Sequence, residues 1–227
     1  MKVFGKNVFN ELKSDIKSIK RVYIANNFGD REIIDFIKNN NISHSFMDIK
    51  KMDGMVEGRH QGIIIEINEY EYVDYKTMLD EKVVVMLDHL EDPHNFGAII
   101  RTCEAAGIKS IIIPKDRSVS VNGTVMKTSA GALEYVNIAM VNNLVNVIKE
   151  FQKNGFYAYA ADMDGENYRD VDFAEKVLLI IGNEGHGIAR LVRDNCDQIL
   201  AIPQYGKINS LNASVAAAVL IYGIVNK

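Results

Sequence analysis

Apolar and polar positions change rhythm near residue 82 of this 227-residue chain. Upstream of that point the periods are short and mixed. Residues 7–18 place Val8, Leu12 and Ile16, with Ile19 just beyond, on one side of a helix. Residues 22–25 read as a strand and 30–40 as a helix closed by the asparagines at 39–41; 45–49 and 62–67 read as two more strands. Together these predict a small αβ unit over residues 1–68. Residues 69–81 are acidic, aromatic and without period, and are expected to be a linker. Downstream, apolar runs recur at 83–87, 110–113, 157–160, 177–181 and 199–202, with helical patterns at 98–106, 144–153 and 214–225. Continuous apolar strands alternating with helices predict an α/β domain over 82–227, built on a parallel sheet buried on both faces. In such sheets ligands bind beyond the carboxyl ends of the strands, so the chemistry should lie in the loops that follow them.

Composition narrows the class. Apolar residues make up 48% and charged residues 25%, as in ordinary globular proteins, and no apolar run is long enough for a membrane span. The N-terminus lacks the charged-then-apolar layout of a signal peptide. Cys103 and Cys196 are far apart and form no CxxC pair. A reducing cytoplasm is therefore expected, and a disulfide scaffold or a zinc site is not. The net charge of −4 does not advertise nucleic-acid binding, but its distribution is uneven. Residues 1–60 hold eleven Lys and Arg against eight Asp and Glu, whereas the remainder holds fifteen against twenty-two. Lys13, Lys17, Lys20 and Arg21 fall at near-helical spacing, either as a basic stripe for a polyanion or as a solvated helix face.

Three loops carry unusual chemistry. The first, residues 88–102, follows the strand at 83–87, with Pro93 and Gly97 punctuating a turn into a helix. Arg101 then falls near the start of that helix, where a cation is misplaced against the dipole unless an anion such as phosphate is bound. The alternative is a surface arginine paired with Glu91, Asp92 or Glu104. The second loop, Gly182-Asn-Glu-Gly-His-Gly-Ile188, places three glycines in six residues after a buried strand, which lets a ligand approach the backbone closely. Its spacing is neither GxGxxG nor a Walker A loop, and Glu184 would repel a pyrophosphate. A plain helix-entry turn is the alternative. The third loop, residues 201–216, packs Asn209, Ser210, Asn212 and Ser214 ahead of an Ala/Val-rich helix. A helix N-cap accounts for one or two of these polar side chains, but not for all four. His89 and His94 beside Asp88 and Asp92 do not match zinc-site spacings, so no metal is expected.

Taken together, the loops resemble the three motifs of the SpoU (TrmH) family of RNA ribose 2′-O-methyltransferases. Motif one matches at Asn95, Gly97, Arg101 and Thr102, and motif two at Gly182, Glu184, Gly185 and Gly187. Motif three matches at Ile202, Pro203, Ser210, Leu211, Asn212 and Ser214. The segments at 114–118, 127–132 and 60–63 look like the branch that methylates a guanosine of 23S ribosomal RNA, and the resemblance covers essentially the whole chain.

The resemblance implies a trefoil-knotted methyltransferase domain of the SPOUT type preceded by a small L30e-like RNA-binding domain. It further implies a cytoplasmic homodimer, an RNA substrate, S-adenosylmethionine as methyl donor and no metal. By resemblance, Arg101, Asn95, Glu184, Ser210 and Asn212 form the catalytic shell. Ala160, Ala161, Gly182, Gly185, Ile202, Pro203, Leu211 and Ser214 are the expected cofactor contacts, and Arg59, His60, Arg117 and Lys127 the expected RNA path. A guanidinium stays protonated in proteins, so Arg101 suits an anion clamp better than a proton acceptor. Two rival readings differ in class. A dinucleotide oxidoreductase lacks GxGxxG and its later acidic residue, and a non-catalytic RNA-binding relative would be expected to have lost Arg101, Glu184 or Asn212.

Overall fold

The computed structural model describes residues 1–13, 16–207 and 210–227. It divides into two compact units, residues 1–71 and 72–227. In the first, strands β1 (Lys2–Phe4), β2 (Ile19–Ala25), β3 (His44–Met47) and β4 (Ile63–Ile67) form one sheet in the order β1-β4-β2-β3. Helices α1 (Lys6–Leu12), α2 (Arg31–Asn39) and α3 (Ile49–Asp53) connect them. β4 lies between β1 and β2, antiparallel to both, and its Ile63, Ile64 and Ile65 are fully buried. Asp30 caps α2 by accepting from the Ile33 amide.

The helix expected at 7–18 is shorter than its pattern. α1 ends at Leu12, a 3₁₀ turn occupies Ile16–Ser18, and β2 begins at Ile19. Ser14 and Asp15 lie outside the described residues. Lys20 and Arg21 therefore sit on a strand, Lys13 meets Glu32 and Lys20 meets Glu66, so the four cations form no helical stripe. An apolar spacing of four is compatible with a helix only while the backbone stays helical, and pairing of Ile19 with Ile67 captures this segment for the sheet.

The second unit is a six-stranded parallel sheet in the order β10-β8-β9-β5-β6-β7. Its strands are β5 (Val83–Leu87), β6 (Ser110–Pro114), β7 (Asn137–Val141), β8 (Tyr157–Asn167), β9 (Val177–Ile181) and β10 (Gln198–Ala201). Helices α4 (Pro93–Ala105), α5 (Gly123–Ser129), α6 (Leu144–Lys153), α7 (Arg190–Arg193) and α8 (Ala213–Val225) lie between and after them. β5 and β9 are central, and nearly every residue in them is buried, as uninterrupted apolar runs require. No helix among the described residues is long and apolar enough to cross a membrane.

Most of the segment expected as a linker is part of this second unit. Val73 bridges to Ala139, Tyr75–Met78 forms a 3₁₀ turn capped by Asp74, and Met78 is buried in the core. Its aromatic residues are anchors rather than spacer: the Tyr72 hydroxyl accepts from the Val121 amide at 2.9 Å.

Gly97 has a different role from the turn expected of it. It is buried inside α4, where α5 crosses so closely that a Cβ would lie 2.5 Å from the Thr128 Cβ. Gly97→Ala is expected to destabilise the protein by about 1–3 kcal/mol through overpacking, read as a lower midpoint in urea at unchanged slope.

Candidate active site

β5 and β9 sit side by side at the point where the strand order reverses, so the loops leaving their carboxyl ends are neighbours. The β9 loop turns back tightly. Asn183 and Gly187 exchange two backbone hydrogen bonds of 2.9 Å, and a Cβ on Gly182 would lie 2.5 Å from the Ile188 nitrogen. Gly187 has φ +66°, in the left-handed region that glycine adopts without strain. The Asn183 side chain ties the loop further, accepting from the Gly185 and His186 amides and donating to the His89 carbonyl at 2.7 Å.

The three loops meet at Asn95, which is 7% exposed in the first turn of α4. Its Nδ2 donates to Glu184 Oε1 at 2.7 Å, and its Oδ1 accepts from Asn212 Nδ2 at 2.9 Å. The Ser214 hydroxyl lies 3.1 Å from the same Oδ1 and 2.6 Å from Asn212 Oδ1, so its single proton is offered to one or the other. Asn212 also caps α8, accepting from the Ser214 and Val215 amides. One buried amide thus joins α4, the β9 loop and the start of α8. Asn209 lies outside the described residues.

Beside this junction lies a cavity of about 440 Å³, within the size range of small-molecule sites. Gly182, Glu184, Gly185, Ile202, Ser210, Leu211 and Ala161, all expected at the site, are on its wall. Asn95, Asn212 and Ser214 stand behind the wall as the junction. Ala160 is fully buried in β8, and neither it nor Pro203 lines the cavity. Asp162, Met163 and His186 also line the cavity, and no motif position marks them. Asp162 and Met163 are placed by an irregularity in β8: its pairing with β10 jumps from Ala160 to Glu166, and the intervening residues arch outward. Nothing in the local pattern announces that excursion.

Arg101 is not at a helix start. Asp92 caps α4 by accepting from the His94 amide, Pro93 takes the first helical position, and Arg101 falls in the second half of the helix. The dipole argument therefore does not apply to it. The pairings with Glu91, Asp92 or Glu104 do not form either: Arg101 is exposed and makes no hydrogen bond or ion pair with the described residues. Arg59, Arg117 and Lys127 are likewise exposed. His60 is not. It is 5% exposed, its Nδ1 accepts from the Gly62 amide at 3.1 Å, and its Nε2 lies 2.9 Å from Asp53 Oδ1. That pattern puts the proton on Nε2 and makes His60 a brace for the turn at Gln61 and Gly62, both with positive φ. Burial pushes the Cys103 thiol up to about 12, which leaves it inert as a nucleophile.

Comparison with known proteins agrees with this geometry. A family model described as the SpoU rRNA Methylase family matches residues 82–222, and one described as RNA 2'-O ribose methyltransferase substrate binding matches residues 2–73. The chain is 38% identical over 237 residues to the "Putative TrmH family tRNA/rRNA methyltransferase YacO" of Bacillus subtilis (strain 168), covering 99% of this chain and 95% of that one. Among solved structures, the SpoU methyltransferase AviRb from Streptomyces viridochromogenes, in complex with the cofactor AdoMet, superposes with a TM-score of 0.82 at 21% identity. That match covers 100% of this chain and 89% of AviRb. The A. aeolicus TrmH/SpoU tRNA modifying enzyme is 30% identical with a TM-score of 0.59, covering 65% of this chain and 75% of its own. Matched by family models from residue 2 to residue 222, and by a relative along nearly its full length, this chain belongs to the SpoU rRNA methylase family of RNA methyltransferases.

Proposed function

We propose that the chain transfers a methyl group from S-adenosylmethionine to a ribose 2′-hydroxyl of RNA, specifically to a guanosine of 23S ribosomal RNA. The observation that carries this reading is the Asn95 junction, which gathers all three motif loops around one cavity. The cavity suits the donor. Gly182 and Gly185 let a ligand lie against the backbone, apolar Ile202 and Leu211 face it, and Glu184 and Asp162 favour a cation. When bound, S-adenosylmethionine supplies an electrophilic methyl carbon on a sulfonium. The protein's contribution is alignment and charge. Arg101, free of partners among the described residues, clamps the phosphate next to the target ribose and stabilises the negative charge that develops on the 2′-oxygen. The phosphate or a water accepts the proton. Asn95 sets Glu184, Asn212 and Ser214 in place, and Ser210 faces the cavity to complete the polar shell.

Arg59, Arg117 and Lys127 are the proposed RNA contacts, with the target ribose offered from a loop or bulge. The working unit is a homodimer. α8 carries no charged side chain, yet Val215 and Tyr222 on it are 48% and 43% exposed, an apolar face suited to a second copy. Gly165, pressed against the Ile199 backbone of the neighbouring strand, fits the close chain packing of a trefoil-knotted domain. Transfer RNA, or ribosomal RNA at an antibiotic site, is the alternative target. Mapping 2′-O-methyl sites in ribosomal and transfer RNA from cells with and without the gene tests the reading. Loss of one guanosine site in 23S RNA is expected; loss only in transfer RNA, or none, would overturn the choice of substrate.

A further inference from the structure

We propose that Asp88, which the sequence motifs leave without a role, is a positioning residue for the methyl-donor pocket. It occupies the first position after β5 and is only 1% exposed. A carboxylate so deeply buried is retained only if its oxygens are occupied, and both are. Oδ2 accepts from the Ala189 amide at 2.6 Å, and Oδ1 lies 2.5 Å from His89 Nδ1.

The bonds around it form a frame for the β9 loop. At the outgoing end, the Asp88 amide donates to the Ile181 carbonyl at 2.8 Å. One residue into the loop, Asn183 Nδ2 donates to the His89 carbonyl at 2.7 Å. At the returning end, the Asp88 carboxylate takes the Ala189 amide. Two consecutive residues therefore grip both ends of a segment that supplies a continuous stretch of the cavity wall, from Ile181 to Gly187.

The grip extends to a second wall. Ala189 is the residue from which α7 starts, and no side chain of its own caps that helix. One turn later Arg193 Nη2 reaches both carboxylate oxygens of Asp164, at 2.6 and 2.7 Å, and its Nε lies 3.6 Å from Asp162 Oδ2. Those carboxylates belong to the arch in β8 that carries Asp162 and Met163 into the cavity. Asp88 thus sets the start of α7, and α7 sets the arch. Both walls take their position from one buried carboxylate that does not itself line the cavity.

This inference rests on the pocket's being the S-adenosylmethionine site, so the experiment first titrates the wild-type protein with S-adenosylmethionine by calorimetry. Absence of heat there overturns the site assignment and leaves the role of Asp88 nothing to act on. Given wild-type binding, Asp88→Ala is expected to weaken affinity at least about tenfold, the loss that follows when a hydrogen bond to a charged group is removed. Asp88→Asn keeps an acceptor for Ala189 and should stay within about threefold of wild type. Ala189→Pro replaces the donated hydrogen by a ring carbon that pushes the Asp88 carboxylate away from the start of α7, while leaving Asp88 itself in the sequence. Ala189 already has φ −58°, which proline adopts, so the backbone accepts the ring; thermal unfolding checks that the variant is folded, and its affinity is expected to fall similarly. KM for S-adenosylmethionine should rise more than kcat falls. Amide exchange should quicken at 182–189 and 161–165 while β5 and β9 stay protected. Wild-type affinity in Ala189→Pro, or equal damage from Asp88→Asn and Asp88→Ala, would overturn the proposal.

Discussion

Arg101→Lys is expected to lower kcat/KM for RNA methylation about a hundredfold, and Arg101→Ala about a thousandfold, with S-adenosylmethionine affinity unchanged. The expectation follows from what Arg101 does not do in the protein. It is exposed, in the second half of α4, and no carboxylate or carbonyl among the described residues engages it. Its five donors are therefore available to an incoming anion, and its replacement leaves no group among the described residues unsatisfied. Stability should be unaffected, which separates this variant from those that disturb the core. Lysine keeps the charge but loses the planar two-point fork that matches a phosphate, so the gap between the lysine variant and wild type measures the fork. Near wild-type turnover of Arg101→Lys would dismiss the clamp. A proton-accepting role predicts a different pattern, in which activity of the lysine variant climbs steeply as pH approaches the amine's own range.

Asn95→Ala should act on both stability and binding. It removes the bond to Glu184 and deprives Asn212 and Ser214 of a shared acceptor, at a site where water has little access. A loss of about 1–3 kcal/mol is expected, lowering Tm by roughly 3–8 °C in a chain of this size. Donor affinity should fall about tenfold or more, because Glu184 and the start of α8 both bound the cavity. Asn95→Asp is the sharper comparison. It keeps an acceptor toward Asn212 but sets a carboxylate 2.7 Å from that of Glu184, so it should be more damaged than the alanine variant at neutral pH. Equal thermal stability of wild type and Asn95→Ala, measured by calorimetric unfolding, would refute the junction as an energetic centre.

These two residues also mark where sequence reasoning succeeded and where it stopped. β5 and β9 were legible to the residue because a strand buried on both faces has no polar positions to blur its ends. α4 was legible as a helix, but its start was misread. Pro93 reads as a turn marker in the sequence, whereas with Asp92 before it the proline occupies a first helical position where its missing amide costs nothing. Starting the helix five residues earlier places Arg101 in its later half, where the dipole no longer opposes a cation. β7 went unnoticed because Asn137 and the partly exposed Met140 interrupt its apolar run, α5 because seven residues span only two turns, and β1 because three residues carry no period. The joint spacing of three motifs singled out Asn95, Glu184, Asn212 and Ser214, which the structure brings together. Their connections were not legible. Whether Asn95 faces Arg101 or Glu184 depends on how far each loop travels in space, and His60 looks the same in sequence whether it contacts RNA or braces a turn.

The Asn95 junction has a consequence in time as well as in space. Its three side-chain bonds close intervals of 89, 117 and 119 residues, among the longest sequence separations in the second unit. Each such closure carries the entropy of ordering everything between, so it comes after the local helices and hairpin-scale contacts that need little of it. The pocket is consequently a late product of folding. During refolding, recovery of donor binding lags the recovery of helical signal, and the segment from Asn212 onward, made after the other two loops, is the one whose arrival completes the site.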